Sequence, residues 1–332
     1  MPVVISTLPK SHYDRYGFEF PPDWEIRYVS AAEEAMIEEG READIIHVGA
    51  VDAVSAEVIK QAAKVRLIQS LGVGFNRIDY EFAAEQGIPV CNNQGANAGP
   101  VAEFTVGMMI SALRRMTPVD RDIKGGRFAE CMKAYWARGV DEISSQKIGL
   151  IGCGAIGRNV ARLLLPFGCP VFYYDAYRPA PDLEKELKLT YLELDDLIRQ
   201  CDIISLHVPV LPHTLNMISK PQLEMMKPNA ILINTSRGEV LDQAALAEAL
   251  EAGRIYGAAI DTLSPEPPEA DHPLLNLSPS ANDRLLVTPH VAGTTNQAFQ
   301  RMLAGSLSNM KKVLAGEQPD NIVNNVRRPR WL

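Results

Sequence analysis

Lys147-Ile148-Gly149-Leu150-Ile151-Gly152-Cys153-Gly154-Ala155-Ile156-Gly157 is an apolar run that breaks into G-x-G-x-x-G. A helical pattern follows over 158–167, then a second apolar run, Val171–Tyr174, closing on Asp175. Strand, turn, helix, strand and acid in this order are the parts of a dinucleotide site. Gly152 permits the tight turn, Gly154 lets the backbone approach a pyrophosphate, and Gly157 lets the helix pack against the strand. The helix start offers free N–H groups and a partial positive charge. Asp175 is suited to accept hydrogen bonds from a ribose diol and to repel a 2′-phosphate, which points to NAD. Arg178, three residues on, works against this reading as a cation able to swing toward a phosphate. A bare glycine motif also occurs as a turn without a ligand. The register of both strands, the helix and the acid argues against that here.

Around this unit lie 332 residues, enough for two domains. Hydrophobic residues at 46% and charged residues at 22% match an ordinary globular enzyme and set aside the disordered and fibrous classes. A net charge of −8 argues against nucleic acid or an anionic membrane as the main partner. No apolar run reaches the ~20 residues of a membrane span. Pro2-Val3-Val4-Ile5-Ser6 is too short and uncharged for a secretory signal and reads as a first strand. Five scattered cysteines (Cys91, Cys131, Cys153, Cys169, Cys201) contain no C-x-x-C pair. They suggest reduced thiols in a cytoplasmic protein, neither a disulfide frame nor a zinc site. Cys153, inside the glycine turn, reads as packing.

Strand-like runs alternate with helical stretches throughout, the pattern of an α/β protein with parallel sheets. Strands are expected at 3–6, 26–29, 45–48, 67–71 and 89–91 before the glycine motif. After it they are expected at 203–208, 230–234, 256–260 and 285–287. Shorter helices are expected at 31–40, 56–63, 194–199 and 243–252. Two long ones are expected, one opening at Gly99-Pro100 and running to about 115, the other over 295–314 with Gly316 as its stop. Proline suits the first helical turn, where its missing N–H has no partner to lose. Residues 117–145 read as a less regular arm, and 265–268 and 278–283 as loops. The expected organisation is two Rossmann- or flavodoxin-like domains. A central nucleotide-binding domain, 100–295, is inserted in a discontinuous substrate-binding domain made of 1–99 and 296–332. The two long helices would bridge back to the outer domain, and the cleft between the domains is the default place for a substrate. No internal repeat or low-complexity tract interrupts this pattern.

Three polar residues follow strands or loops beyond the glycine motif: Arg237 in Asn234-Thr235-Ser236-Arg237-Gly238, Glu266 in Pro265-Glu266-Pro267, and His290 in Thr288-Pro289-His290. Ligands of open α/β sheets lie outside the carboxyl ends of strands. A keto acid needs a planar bidentate cation for its carboxylate, which arginine supplies. It also needs a proton donor beside the carbonyl. Histidine suits that role near neutral pH, and a neighbouring carboxylate would keep it charged and oriented. Taken singly, each residue also has a plain structural reading: Arg237 as a surface residue, Glu266 as a solvated loop acid, His290 as a satisfied turn histidine. The other histidines read as structural, His47 and His207 within strands and His12, His213 and His272 in loops, and no metal site is expected.

These motifs together resemble the D-isomer-specific 2-hydroxyacid dehydrogenase family over nearly the whole chain. The family's order of a substrate loop, a dinucleotide motif, N-T-x-R-G, D-x-x-x-x-E-P and T-P-H is found here. It runs through Gly72-Val73-Gly74, Gly152 to Gly157, Asn234 to Gly238, Asp261 to Pro267 and Thr288 to His290. The resemblance implies an NAD-dependent oxidoreductase interconverting a small 2-keto acid, such as glyoxylate, hydroxypyruvate or pyruvate, and the D-2-hydroxy acid. It implies that Arg237 binds the carboxylate together with the backbone of Val73 and Gly74, that His290 is the acid/base, and that Glu266 pairs with it. Asp261 would bond the nicotinamide carboxamide. Val208, Pro209 and Thr214 would line the adenosine side, and Thr235 and Ser236 the nicotinamide side, with His290 and Gly293 also among the cofactor contacts. Ala155 and Ile156 would offer amides to the pyrophosphate, and Arg158 would reach it. The arm with Phe128, Tyr135 and Trp136 would pack across a two-fold homodimer. Trp136 is then either an interface anchor or a residue reaching the partner's cleft.

Two departures stand out. Gly74-Phe75-Asn76-Arg77 replaces the family's more usual small residue followed by Asp-Asn. Phe75 either narrows the pocket or packs in the core. Residues 276–284 look longer than usual and read as a surface insertion. Two competing readings share the fold. One is an NADH-sensing, corepressor-like binding protein. The other is a phosphoglycerate-type dehydrogenase, disfavoured because His47-Val48-Gly49-Ala50-Val51-Asp52 supplies no cation for a phosphate, and because a chain closing at Leu332 is expected to lack a C-terminal regulatory domain.

Overall fold

The structure, a computed structural model, describes residues 1–331. The chain divides into two units: Met1–Asn97 joined by the chain from Thr294 onward, and Ala98–Gly293. In the first unit five strands form one sheet: β1 (Val3–Ser6), β2 (Glu25–Tyr28), β3 (Ile45–Val48), β4 (Leu67–Ser70) and β5 (Val90–Cys91). All pairings are parallel, in the order β2-β1-β3-β4-β5. That order is the flavodoxin-like one. β3 and β4 are buried at every position, as a parallel sheet covered on both faces requires.

The second unit carries β6 (Ile148–Ile151), β7 (Val171–Tyr174), β8 (Leu189–Tyr191), β9 (Ile203–Leu206), β10 (Ile231–Asn234), β11 (Gly257–Ile260) and β12 (Leu285–Val287). They pair in the order β12-β11-β10-β9-β6-β7-β8, again all parallel. The direction of winding reverses at β6, whose neighbours are β7 and β9. Such a switch point opens a crevice at the carboxyl ends of the strands. Two parallel-sheet α/β folds are therefore present, as the alternating pattern indicates.

The two long helices have different surroundings. Ala98–Arg114 packs on the helix Ala155–Leu164 and on β10, β11 and β12 of the second unit. Asn296–Leu314 lies in the first unit and packs on β4. It buries Ala298, Met302, Ser306, Asn309, Met310 and Val313 at helical spacing. Thr295 caps its start by accepting from the Ala298 amide at 3.2 Å. Gly316 ends it with φ +80. Polar side chains fix its register: Asn93 Nδ2 donates to Ser306 Oγ at 2.9 Å, and Asn309 Nδ2 donates to Gln69 Oε1 at 2.9 Å, all four residues buried. A Cβ on Gly305 would lie 2.3 Å from Asn93 Oδ1, so only glycine permits this approach.

Several expectations need correcting. The arm at 117–145 is regular, with helices Met116–Lys124 and Phe128–Arg138 and a 3₁₀ turn Ile143–Ser145. Neither helix buries a residue within the chain; their apolar side chains, Met116 and Ile123 on the first and Phe128, Met132 and Trp136 on the second, lie exposed. The short strand β8 was not expected. Residues 276–284 are a capped helical turn, Pro279–Asn282, with Ser278 bonded to Glu251 through both amide and hydroxyl at 2.6 Å. Ala281 beneath it is buried, so the segment is tied to the core. His12 lies in the helix Lys10–Arg15, and His207 stands just past the end of β9. Phe75 packs against the core of the first unit, with its ring edge-on to Tyr80 at 5.4 Å.

Candidate active site

The glycine turn lies at the switch point, between β6 and the helix Ala155–Leu164. Gly152 has φ +103, and a Cβ there would stand 2.6 Å from the His207 carbonyl oxygen. A Cβ on Gly157 would stand 2.2 Å from the Gly152 carbonyl oxygen. Both positions are closed to any other residue by backbone, which cannot move aside. Gly154 differs: nothing lies within 4 Å of where its Cβ would be. The space before the helix is thus open at the residue where a pyrophosphate would approach. The first i→i−4 bond of the turn is Arg158 N to Gly154 O at 3.0 Å. The earlier amides of Ala155 and Ile156 precede it, as first-turn donors do. These features fit a dinucleotide phosphate.

Asp175 stands at the end of β7. Its Oδ2 accepts from the Cys153 amide at 2.6 Å and its Oδ1 from the Tyr177 amide at 2.8 Å. The carboxylate is fixed against the glycine turn, and each oxygen keeps a lone pair for a ribose hydroxyl. The Arg158 Nε donates to the Cys153 carbonyl at 2.8 Å, so this guanidinium braces the turn as well as lying near it.

The other cluster is built at the carboxyl ends of β10, β11 and β12, which are adjacent in the sheet. After β10 the turn is held by Asn234. Its Oδ1 accepts from the Ser236 amide and hydroxyl at 3.0 and 2.8 Å, and its Nδ2 donates to the Arg237 carbonyl at 2.8 Å. Arg237 follows, giving Nη1 to the Ser236 carbonyl at 2.7 Å. Among the described residues no carboxylate is ion-paired with Arg237, so most of its donor fork is unspent. A Cβ on Gly238 would meet the Leu263 carbonyl at 2.3 Å, which brings the Glu266 loop close to this turn.

In that loop Glu266 has both oxygens engaged. Oε1 accepts from the Leu263 amide at 3.0 Å, and Oε2 pairs with His290 Nδ1 at 2.7 Å. The peptide bonds before Pro265 and Pro267 are both cis. With Nδ1 taken by Glu266, the opposite ring nitrogen, Nε2, faces away from the carboxylate on a side chain that is 39% exposed. His290 sits in the left-handed region at φ +55. Asp261, at the end of β11, holds it there. The Asp261 carbonyl accepts from the His290 amide at 2.7 Å. Its Oδ1 accepts from Thr288 Oγ1 at 2.5 Å and the Val291 amide at 3.0 Å, and its Oδ2 from the Ala292 amide at 3.0 Å. Asp261 is 1% exposed, so its carboxylate is spent largely on the loop that carries His290.

In the other unit, Gly72-Val73-Gly74 follows β4. The Gly72 carbonyl accepts from the Asn93 amide at 2.9 Å and the Val73 carbonyl from Asn92 Nδ2 at 2.7 Å. A trans peptide points its N–H opposite its C=O. The Val73 and Gly74 amides are thereby turned away from Asn92 and Asn93. Among the described residues they have no acceptor, as a nest for an anion requires.

Some expected contacts are otherwise occupied. Thr214 is buried, and its hydroxyl closes its own turn, donating toward the Pro209 carbonyl at 2.6 Å and accepting from the Leu211 amide at 2.8 Å. Thr235 Oγ1 bonds Thr105 Oγ1 at 2.8 Å, and Ser236 Oγ is taken by Asn234. Each of these hydroxyls keeps acceptor capacity beyond the bonds it makes here. Val208 and Pro209 line the loop after β9, and Gly293 closes the His290 loop. Thr288, Asn234, Asn92 and Thr105 were assigned no role from sequence. The first two lie inside the quoted motifs, and their surroundings could have suggested one. Two histidines are held as neutral rings, His47 buried and His207 partly so. His47 accepts or donates at Nδ1 to Tyr13 Oη at 2.7 Å, which in turn bonds Ser6 Oγ at 2.6 Å, and burial pushes His47 down to about 3. His207 bonds Ser205 Oγ at 2.9 Å beneath the glycine turn.

Comparisons with known proteins agree with this geometry. The family model for the D-isomer specific 2-hydroxyacid dehydrogenase NAD binding domain matches residues 106–292. A glyoxylate reductase of Korarchaeum cryptofilum is 36% identical over 321 residues, covering 97% of this chain and 95% of that protein. A D-3-phosphoglycerate dehydrogenase of Methanocaldococcus jannaschii is also 36% identical, over 90% of this chain but only 55% of its own length. Among solved structures, a D-lactate dehydrogenase from Aquifex aeolicus, complexed with NAD and lactic acid, superposes with a TM-score of 0.82. It is 28% identical and the match covers 95% of this chain and 96% of that one.

Proposed function

The chain belongs to the D-isomer specific 2-hydroxyacid dehydrogenase family, and from that premise we propose that it reduces a small, unphosphorylated 2-keto acid of the glyoxylate, hydroxypyruvate or pyruvate kind to the D-2-hydroxy acid. It is an NAD-dependent oxidoreductase. The observation that carries the reading is the 2.7 Å pair of Glu266 with His290 on the same strand-end edge as an arginine without a carboxylate partner. Bound NADH supplies the hydride. Arg237 takes the substrate carboxylate through its planar fork. His290 gives the proton to the carbonyl oxygen from Nε2. Glu266, anchored by the Leu263 amide, fixes the orientation of the ring through Nδ1. Asp261 and Thr288 hold the loop on which His290 rides, and any bond from Asp261 to the nicotinamide carboxamide is shared with that duty. The unit Ala98–Gly293 is the cofactor unit, and the other carries the substrate-binding role.

An unphosphorylated substrate is supported by the loop after β3. There Asp52 Oδ2 accepts from the Gly49 amide at 2.9 Å and from Thr7 Oγ1 at 2.5 Å, placing an anion where a phosphate would need a cation. A homodimer is part of the proposal. The arm presents Met116, Ile123, Phe128, Met132 and Trp136 to solvent, an apolar face that a second copy would cover. Trp136 is 74% exposed and is the natural anchor of that face. A cytoplasmic setting is supported by thiols spread singly through the chain, four of the five buried. The test is a steady-state screen of glyoxylate, hydroxypyruvate, pyruvate and 3-phosphohydroxypyruvate with NADH. Turnover with one of the first three supports the reading. A preference for the phosphorylated acid, or no turnover with any, overturns it.

A further inference from the structure

Arg178 is the cation best placed in sequence to receive a 2′-phosphate, since it lies three residues beyond Asp175. The structure engages it elsewhere. Its Nη2 donates to Glu184 Oε1 at 3.0 Å, and its Nε lies 3.4 Å from Tyr173 Oη. The guanidinium carbon stands 4.5 Å from the centroid of the Tyr191 ring. The Tyr173 hydroxyl donates to the same Glu184 oxygen. These partners come from three elements. Tyr173 is on β7, Tyr191 is its direct neighbour on β8, and Glu184 is on the helix Pro181–Glu186 that leads from one strand to the other. Glu184 stays ionised, its carboxyl held below the ordinary range by the Tyr173 hydroxyl first and by Arg178 second. Arginine over an aromatic face with a carboxylate at its edge satisfies both the charge and the planar donors.

We propose that Glu184, Tyr173 and Tyr191 form a latch that retains Arg178 away from the adenosine ribose, so that preference for NAD(H) over NADP(H) rests on two layers: repulsion by Asp175 and sequestration of Arg178. The inference rests on the cofactor reading and extends it to residues that touch no part of the cofactor. It explains how a chain can carry an arginine next to the ribose-binding acid without using it for a phosphate. It also means that removing Asp175 alone leaves a ribose edge with no cation to greet the phosphate.

The test measures binding directly. Dissociation constants for NAD⁺, NADP⁺ and adenosine 2′-monophosphate are determined by calorimetry for wild type, Asp175→Ala, Asp175→Ala/Glu184→Ala and the triple variant that adds Arg178→Ala. Asp175→Ala is expected to tighten NADP⁺ less than about 10-fold. Releasing the latch adds a further gain of about 10-fold, the worth of one charge-assisted phosphate contact. The triple variant returns to the level of Asp175→Ala. NAD⁺ affinity of Glu184→Ala alone stays within about 2-fold of wild type, which shows that the unit is intact. Tyr191→Leu, paired with Asp175→Ala, gives a second release of the same latch should Glu184→Ala not fold. The latch is overturned if neither release tightens NADP⁺ or adenosine 2′-monophosphate beyond Asp175→Ala, or if the gain persists without Arg178. Wild-type protein that binds no NAD⁺ overturns the cofactor reading beneath it, a distinct failure.

Discussion

Asp261→Asn removes the acceptor on which the His290 loop depends, at almost no change in volume. Three donors converge on that carboxylate: Thr288 Oγ1 at 2.5 Å, the Val291 amide at 3.0 Å and the Ala292 amide at 3.0 Å. The carboxylate is 1% exposed. Hydrogen bonds to a charged group contribute about 1.5–3 kcal/mol each. In the amide one oxygen becomes an NH₂ that faces a donor, so at least one buried donor is left without an acceptor. A loss of about 1–3 kcal/mol is expected locally, the cost of leaving a buried donor unsatisfied. The loop also stores strain, since a histidine in the left-handed region costs about 1–2 kcal/mol. With its anchor weakened the loop relaxes, and His290 drifts from its place against Glu266. A displacement near 1 Å costs roughly 10²-fold in rate. The expected outcome for Asp261→Asn is therefore a fall in kcat of about 10- to 100-fold, with the Kd for NADH changed less than about 3-fold. Thr288→Val, which removes one donor, should lie between the variant and wild type. The assay is steady-state reduction of the preferred keto acid, with NADH binding followed by fluorescence. Wild-type kcat in Asp261→Asn would refute the clamp. A large loss of NADH affinity at unchanged kcat would show instead that Asp261 acts by direct contact with the cofactor.

Four further outcomes are expected. His290→Ala should lower turnover about 10²–10⁴-fold, and near-wild-type turnover in that variant would count against its acid/base role. Arg237→Ala should act mainly on KM for the keto acid, and equal loss in kcat with unchanged KM would count against its carboxylate role. His47 is held neutral by burial at about 3, against about 6.5 in an unfolded chain. The folded state thus resists protonation of this ring. Its contribution is complete above pH ~6.5 and is lost as pH falls toward 3, at about 1.4 kcal/mol per pH unit. By pH 5 the loss is about 2 kcal/mol, so His47→Asn should show a shallower decline of Tm between pH 6.5 and 4.5. An unchanged slope would place the acid sensitivity elsewhere. Sedimentation at micromolar concentration should give a dimer, and Trp136→Glu should shift it toward monomer. A wild-type monomer would remove the arm's assigned purpose.

What the sequence made legible, and what it hid, follows from the kind of partner each residue has. The glycine turn was readable because its constraints are local: Gly152 and Gly157 are excluded from carrying a Cβ by backbone within the same unit. The pairing of Glu266 with His290 came from the family resemblance, since each residue alone also had a plain structural reading, and the two side chains meet at 2.7 Å. The long helices were readable from their buried stripes, whereas the apolar residues of Met116–Lys124 and Phe128–Arg138 stay exposed, so their spacing led to no place in the core. The hydroxyls of Thr214, Thr235 and Ser236 stand in the right loops, yet their bonds go to turn carbonyls, to Thr105 and to Asn234. No spacing rule states which way a hydroxyl turns. Asp261 belongs to the same class, because its acceptor duty is mainly to backbone amides, which every residue owns and no motif marks. Arg178 is the sharpest instance. Its partners lie five residues before it, six after and thirteen after, and only the pairing of Tyr173 with Tyr191 across β7 and β8 brings them to one point. Read locally, Arg178 was a threat to the NAD assignment. Placed by the sheet, it is a cation already committed, and the residues that commit it are where the cofactor preference should be altered.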